Sequence, residues 1–205
     1  MQKTNAAQWL PASAVCTLGL ALTLGGAARS PGDFVVELSA LLTLGLACRV
    51  LPRTPLTPAA RGGIILAAVA FALPLVQLLP LPASLAGALP GRADLARELA
   101  SIGADGLSHA SLATTLTERS LWALLPGVAL FAAGLALPPA WRQRLLALVV
   151  TFALASVVLG FAQVAGGPNS SLRFYEFTHA TDAVGFFANR NHFASLLYVA
   201  LVLGV

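Results

Sequence analysis

Residues Leu145–Val164 have the sequence LLALVVTFALASVVLGFAQV, which contains no charged side chain. A membrane-crossing helix needs roughly 20 predominantly apolar residues, so this stretch predicts a transmembrane helix. The rest of the chain has the same character, because 58% of its 205 residues are hydrophobic and only 10% are charged. Water-soluble domains carry about a quarter charged residues. The composition therefore predicts a polytopic membrane protein and excludes an ordinary water-soluble domain.

Five further apolar runs accompany this stretch. Together they predict an all-α, polytopic transmembrane helical bundle that forms a single domain over residues 1–205, with spans at about 9–28, 34–50, 64–79, 120–137, 145–164 and 192–205. The last run ends at Val205 and is shorter than the roughly 20 residues of a full crossing. We therefore expect five full spans and part of a sixth.

The long segment between the third and fourth spans contains an amphipathic pattern. Within residues 92–102, Leu95, Leu99 and Ile102 fall on one helical face, and charged residues fall on another. Gly103 is placed to end this helix. The pattern predicts a short interfacial helix that lies flat on the membrane.

Local signals predict where three spans begin. The prolines of residues 51–63 indicate an extended loop, with the third span starting at Ile64. Thr115 and Glu118 have the spacing of a capping box ahead of the fourth span. Residues 138–144, which open with two prolines, predict a tight basic turn before the fifth span.

Cations are concentrated in the short segments between spans. Residues 1–8, 49–63 and 138–144 hold six Lys or Arg side chains and no Asp or Glu. Because basic density in short loops marks the cytoplasmic side, the N-terminus is predicted to be cytoplasmic, with the two long loops on the outer side. The net charge of +4 is scattered between spans rather than gathered in a stripe, so we expect membrane lipid and no nucleic acid as a partner.

A polar cluster marks one predicted outer membrane boundary. It lies in the sequence GFFANRNHFAS, residues 185–195, and Arg173 precedes it in the same loop. Arg binds phosphate through paired hydrogen bonds, and the interleaved aromatic residues suit an acyl or sugar surface. Asn189 is placed to cap the sixth helix. The cluster predicts a ligand with an anionic head and an apolar tail, whereas the simpler alternative is that Asn189 and Asn191 only cap, Arg190 reaches toward the interface and His192 bonds a carbonyl.

The sequence contains none of the strong cofactor motifs. His179, Asp182 and His192 match no common metal-ligand spacing, so we predict no metal site. A Gly-rich phosphate loop, a nucleophile elbow and a His-Glu-x-x-His motif are also missing from the sequence. We therefore predict no cofactor and name no catalytic residue.

The cluster resembles a known signature. The sequence GFFANRNHFA is similar to the Gly-x-Phe-x-Asn-x-Asn-x-x-Ala pattern of the O-antigen ligase and O-antigen polymerase superfamily of bacterial inner-membrane glycosyltransferases. Two other stretches resemble segments of these proteins in the same order, QLLPLP from Gln77 and GFAQ from Gly160. The resemblance covers about residues 64–200.

This resemblance implies a glycan transfer at the outer face of the bacterial inner membrane. A glycan on an undecaprenyl diphosphate carrier would move to lipid A-core or to another glycan acceptor, without a nucleotide sugar or a metal. Carried over residue by residue, the signature makes Asn189, Arg190, Asn191 and His192 substrate-binding residues. Arg190 stands where the family commonly has proline, and Arg173 is the nearest match to an arginine that often precedes the signature.

Members of the family are usually about twice as long as this chain. The resemblance therefore implies that residues 1–205 form the N-terminal half of a glycosyltransferase, without the later loop that holds the catalytic histidine. We expect this half to be inactive alone.

A small-solute transporter or a non-enzymatic membrane subunit is the alternative function. A transporter would place polar residues and broken helices near the middle of several spans. Pro74 and Gln77 in the third span fit that description.

Overall fold

The computed structural model describes residues 5–24, 31–103, 108–175 and 181–204. Its eight α-helices in these ranges are α1 (Asn5–Leu24), α2 (Pro31–Val50), α3 (Pro58–Gln77), α4 (Ala83–Ala88), α5 (Ala93–Ser101), α6 (Thr114–Ala136), α7 (Pro139–Ala165) and α8 (Arg190–Gly204). The described residues form no β-strand, only an isolated bridge between Pro80 and His109. The predicted all-α class is confirmed.

Five of the helices are long and apolar enough to cross a membrane, namely α1, α2, α3, α6 and α7. They indicate a multi-pass membrane protein, as the sequence predicts. Helix α8 has 15 residues in the described part of the chain. The partial sixth span, the orientation and the single-domain organisation stay predictions.

Two spans begin earlier than predicted because proline starts a helix better than it continues one. Helix α3 begins at Pro58 rather than Ile64, and the Thr57 side chain caps it by accepting a hydrogen bond from the Ala60 amide at 3.2 Å. Helix α7 begins at Pro139 rather than Leu145. Proline at the first helical position has the required φ, and the N–H that it lacks would be unpaired there anyway.

The fourth span also begins earlier than predicted, and the predicted capping box is wrong. Helix α6 begins at Thr114, so Thr115 already lies inside the helix. In the turn before the helix, the Ser111 hydroxyl accepts a hydrogen bond from the Ala113 amide at 3.1 Å and also bonds the Thr117 hydroxyl at 2.7 Å.

The chain divides into two compact units, residues 1–55 with 126–205, and residues 56–125. The second unit contains the predicted amphipathic helix as α5, and Gly103 follows its end with a φ of +66°. Arg92 is buried just before α5, where its guanidinium donates hydrogen bonds to the carbonyls of His109 and Ala110. That α5 lies flat on the membrane stays a prediction.

Small side chains pack the core of the first unit. Ala14, Ala47 and Ala133 are fully buried where α1, α2 and α6 meet, together with Leu10 and Leu137. In lipid, helices gain little from the hydrophobic effect and associate through close packing of small residues. The alanines therefore let these helix backbones approach one another.

Charges segregate along the first unit. Val50 at the end of α2 and Trp141 at the start of α7 pack against one cluster, so these two helix termini lie at the same end. That end carries four arginines, Arg49, Arg53, Arg142 and Arg144. The described acidic residues of this unit belong to the other end, at the start of α2 and after the end of α7. We call the arginine-bearing end the basic end.

One buried polar contact joins α1 to α2. The hydroxyls of Thr17 and Thr43 lie 2.9 Å apart and both side chains are fully buried. We predict that Thr17→Val and Thr43→Val each lower the free energy of unfolding, and that the double variant loses less than the sum of the two. The coupling energy should be about 0.5 to 1.5 kcal/mol, as for other hydrogen bonds between membrane helices.

The measurement is reversible unfolding in mixed micelles. Thr23→Val is the matched control, because the exposed Thr23 hydroxyl bonds only carbonyls of its own helix, those of Gly19 and Leu20. Strictly additive effects of Thr17→Val and Thr43→Val would contradict the buried bond.

Candidate functional site

One face of α7 supports the signature loop, residues 181–189. Ala153, Ser156, Gly160 and Gln163 are the buried residues of this helix. Their spacing of three or four residues puts them in one stripe. The first three are small, so the loop backbone can approach the helix closely.

The side chain of Gln163 fixes the loop to α7. Its oxygen accepts hydrogen bonds from the Val184 amide at 3.1 Å and the Gly185 amide at 3.0 Å. Its nitrogen donates to the Gly185 carbonyl at 2.8 Å and the Leu172 carbonyl at 3.0 Å. Two donors and two acceptor sites are all that a carboxamide offers. Gln163 therefore satisfies three backbone groups of the loop and one of the preceding turn while itself fully buried.

Gly185, the first residue of the signature, is required by geometry. Its φ is +58°, a conformation that side-chain-bearing residues rarely adopt. A Cβ at this position would also lie 3.0 Å from the Ser156 carbonyl oxygen and 3.2 Å from the Phe193 ring. At Gly160 on the helix, an added Cβ would lie 3.1 Å from the Ala183 Cβ. Both glycines thus allow the loop and α7 to touch.

Aromatic rings extend this contact. Phe186 stacks on Phe152 of α7 with ring centroids 4.9 Å apart, and on Phe174 at 6.2 Å. Phe187 meets Phe152 edge to face at 6.3 Å. Phe174 is largely exposed, so one aromatic face of the stack remains available at the surface.

Arg173 links the end of α7 to the loop. Its guanidinium donates to the Gly167 carbonyl at 3.3 Å, the Gln163 carbonyl at 3.4 Å and the Asp182 carbonyl at 2.9 Å. The last carbonyls of a helix have no partner within the helix, and a cation there also suits the helix dipole. Arg173 therefore has a structural role that the sequence does not reveal.

The second arginine meets the same acidic residue. Arg190 donates a hydrogen bond from Nη1 to Asp182 Oδ2 at 2.7 Å, while its side chain stays 53% exposed. Arg173 holds the Asp182 backbone and Arg190 holds the Asp182 carboxylate. The two predicted arginines are thus brought together at one residue, and we call Arg173, Asp182 and Arg190 the arginine corner.

The start of α8 completes the site. The Asn189 side chain accepts a hydrogen bond from the Asn191 amide at 2.8 Å, so the predicted cap is confirmed. Asn191 and His192 are exposed in the first turn of α8. Arg190 and His192 therefore stand at a helix N-terminus, where the helix dipole favours an anion and disfavours a cation. That Asn189, Arg190, Asn191, His192 and Arg173 bind a substrate stays a prediction.

The described residues contain no group of three His, Cys, Asp or Glu side chains that could hold a metal. Of the three residues weighed for a metal, His179 lies outside the described residues, and Asp182 pairs with Arg190 instead. The sequence reasoning missed Gln163 as an anchor. The sequence offers one indication of this role, a carboxamide at the end of an otherwise apolar span. Such a group needs hydrogen-bond partners when it is buried.

Comparison with models of known protein families, with curated protein sequences and with solved structures found no match.

We predict that Gln163→Ala lowers the free energy of unfolding by roughly 2 to 4 kcal/mol, because it leaves buried loop amides and carbonyls unpaired. Gln143→Ala is the matched control, since Gln143 is an exposed glutamine near the start of the same helix. Unfolding of both variants in detergent gives the comparison. Equal, small losses would show that Gln163 does not anchor the loop.

A separate prediction concerns Gly185. Gly185→Ala should lower the free energy of unfolding more than Gly167→Ala. Both glycines have positive φ, but an added Cβ would meet no atom within 4 Å at Gly167, whereas at Gly185 it would contact α7. The positive φ alone costs about 1 to 2 kcal/mol, and the contact with α7 should add about 1 to 3 kcal/mol. Thermal unfolding measures both. A Gly185→Ala variant as stable as Gly167→Ala would contradict the close approach.

Proposed function

We propose that this chain forms the part of an O-antigen-ligase-like glycosyltransferase that binds the carrier lipid of the glycan donor. The donor is a glycan on undecaprenyl diphosphate, and the acceptor is lipid A-core or another glycan. The protein lies in the bacterial inner membrane with its N-terminus in the cytoplasm and the signature loop at the outer face. The proposal rests on the resemblance of the signature and on the chemistry of the arginine corner.

The observation that carries the proposal is the meeting of Arg173 and Arg190 at Asp182. Arg173 donates to the Asp182 backbone carbonyl and Arg190 donates to the Asp182 carboxylate, so two positive charges and one negative charge meet at this residue. Each guanidinium has five N–H donors. Arg190 uses one of them on Asp182 and is half exposed, which leaves donors for a phosphate oxygen.

The position of Arg190 favours an anionic ligand for a second reason. As the first residue of α8, it places a cation beside the positive end of the helix dipole. The exposed ion pair with Asp182 contributes little stability, on the order of 0 to 1 kcal/mol. Asp182 therefore serves to orient Arg190, and a diphosphate would bind the guanidinium at the positive end of the α8 dipole.

The other residues of the proposed carrier site have roles that we infer from their positions in the structure. Asn189 fixes the first turn of α8, and Asn191 and His192 present polar side chains beside Arg190. The exposed ring of Phe174 offers an apolar surface to the sugar or to the first isoprene units. Arg173 holds the loop in place and adds positive charge.

Arg190→Ala tests the proposal by direct binding. Losing a charge-assisted hydrogen bond costs about 1.5 to 3 kcal/mol, so the affinity for undecaprenyl diphosphate should fall about 10- to 100-fold. The measurement is a titration of the full chain in nanodiscs with excess phosphatidylglycerol, which occupies general anion sites.

The matched control is Arg97→Ala. Arg97 also pairs with an aspartate, Asp94, but it is 79% exposed on α5 and is not part of the signature sequence. Its replacement should leave the affinity unchanged. Equal affinities of the wild-type protein and Arg190→Ala would remove the arginine corner from carrier binding.

A further inference from the structure

A groove opens at the basic end of the first unit, far from the arginine corner. It has a volume of about 360 Å³ and lies between α1, α6 and α7. Its walls are apolar, with Leu18, Phe131, Leu146 and Val149 among them, and Gly134 leaves part of α6 without a side chain. Arg142 is the charged residue in the lining.

Arg142 has no acidic neighbour in α1, in α7 or in residues 120–136 of α6. Residues 1–32, which include α1, and residues 120–175, which include most of α6 and all of α7, contain no Asp or Glu. Arg144 in the same turn places its guanidinium over the Trp141 ring, 4.4 Å from the ring centroid. Arg, Lys and Trp are typical of the membrane–water interface, so this turn lies at headgroup depth.

We propose that the groove binds one anionic phospholipid. The phosphate pairs with Arg142, and one acyl chain lies along the apolar walls. Between Arg142 and Val149 the groove runs about 10 Å along α7 at 1.5 Å per residue, which carries the chain from headgroup depth into the hydrocarbon.

Charge complementarity selects this occupant. A neutral lipid or an uncharged helix of another protein would fill the apolar walls but would leave the Arg142 charge without a counter-ion. A free phosphate ion would pair with Arg142 but would leave the groove empty. A phospholipid with a net negative charge satisfies both parts of the site.

The site is independent of the proposed glycan transfer. Arg142 lies at the start of α7, whereas Gln163 and the arginine corner lie at and beyond its end. A failure of carrier binding at Arg190 therefore leaves this inference unaffected, and the reverse also holds.

The first test compares two arginines of one turn. The full chain in neutral detergent is titrated with dioleoylphosphatidylglycerol or dioleoylphosphatidylcholine, and bound lipid is counted by native mass spectrometry. We expect one phosphatidylglycerol to bind more tightly than phosphatidylcholine. Arg142→Gln should weaken phosphatidylglycerol binding about fivefold, the usual effect of one cation near an anionic lipid, whereas Arg144→Gln, outside the groove lining, should not.

The second test fills the groove. A Cβ added at Gly134 would meet no atom within 4 Å, so Gly134→Leu is expected to fold while its side chain occupies the acyl-chain space. Gly127→Leu is the matched control, because Gly127 lies on the same helix, is equally open to a Cβ and does not line the groove. Phosphatidylglycerol binding should fall in Gly134→Leu and persist in Gly127→Leu.

Three results would overturn the proposal. Equal binding of the two lipids would remove the charge selectivity. Unchanged binding in Gly134→Leu would place the acyl chain elsewhere, and this result decides the matter even if Arg142→Gln does not fold. Competition by soluble glycerol 3-phosphate as strong as that by the lipid would show a phosphate site without an acyl groove.

Discussion

The carboxamide of Gln163 is the constraint on which the arrangement of the signature loop depends. A polar group buried in an apolar bundle costs about 1 to 3 kcal/mol for each unpaired donor or acceptor. Gln163 avoids this cost by bonding Val184, Gly185 and Leu172. These hydrogen bonds between the Gln163 side chain and the loop backbone fix the position of residues 184 and 185 against α7.

The close contact between the loop and α7 restricts which residue types can occupy the neighbouring positions. Gly160 and Gly185 have no side chain because the loop and α7 leave no room for one. Ser156 is fully buried at the same contact, and its hydroxyl has no hydrogen-bond partner among the described residues. Asp182 is then held where Arg173 reaches its carbonyl and Arg190 its carboxylate. The position of the arginine corner thus depends on the packing of the loop against α7.

The parts of this structure that depend on local pattern were predictable from the sequence. Uncharged runs as long as residues 145–164 indicate a membrane-crossing helix, and Asn189 before an apolar run indicates a cap. The sequence prediction starts α3 and α7 too late because it assigns Pro58 and Pro139 to loops, although proline is favoured at a first helical position. The contacts of Gln163 and Arg173 join residues up to 22 positions apart, and no local pattern specifies them.

Hydrogen exchange of the Val184 and Gly185 amides tests the anchoring by Gln163 most directly. The two amides belong to a loop but donate to a buried side-chain oxygen. We expect them to exchange as slowly as backbone amides in the middle of α7, because exchange at either place requires the loop and the helix to separate. Exchange as fast as that of an exposed loop would contradict the anchoring, and the arginine corner would then lose the support that holds it in place.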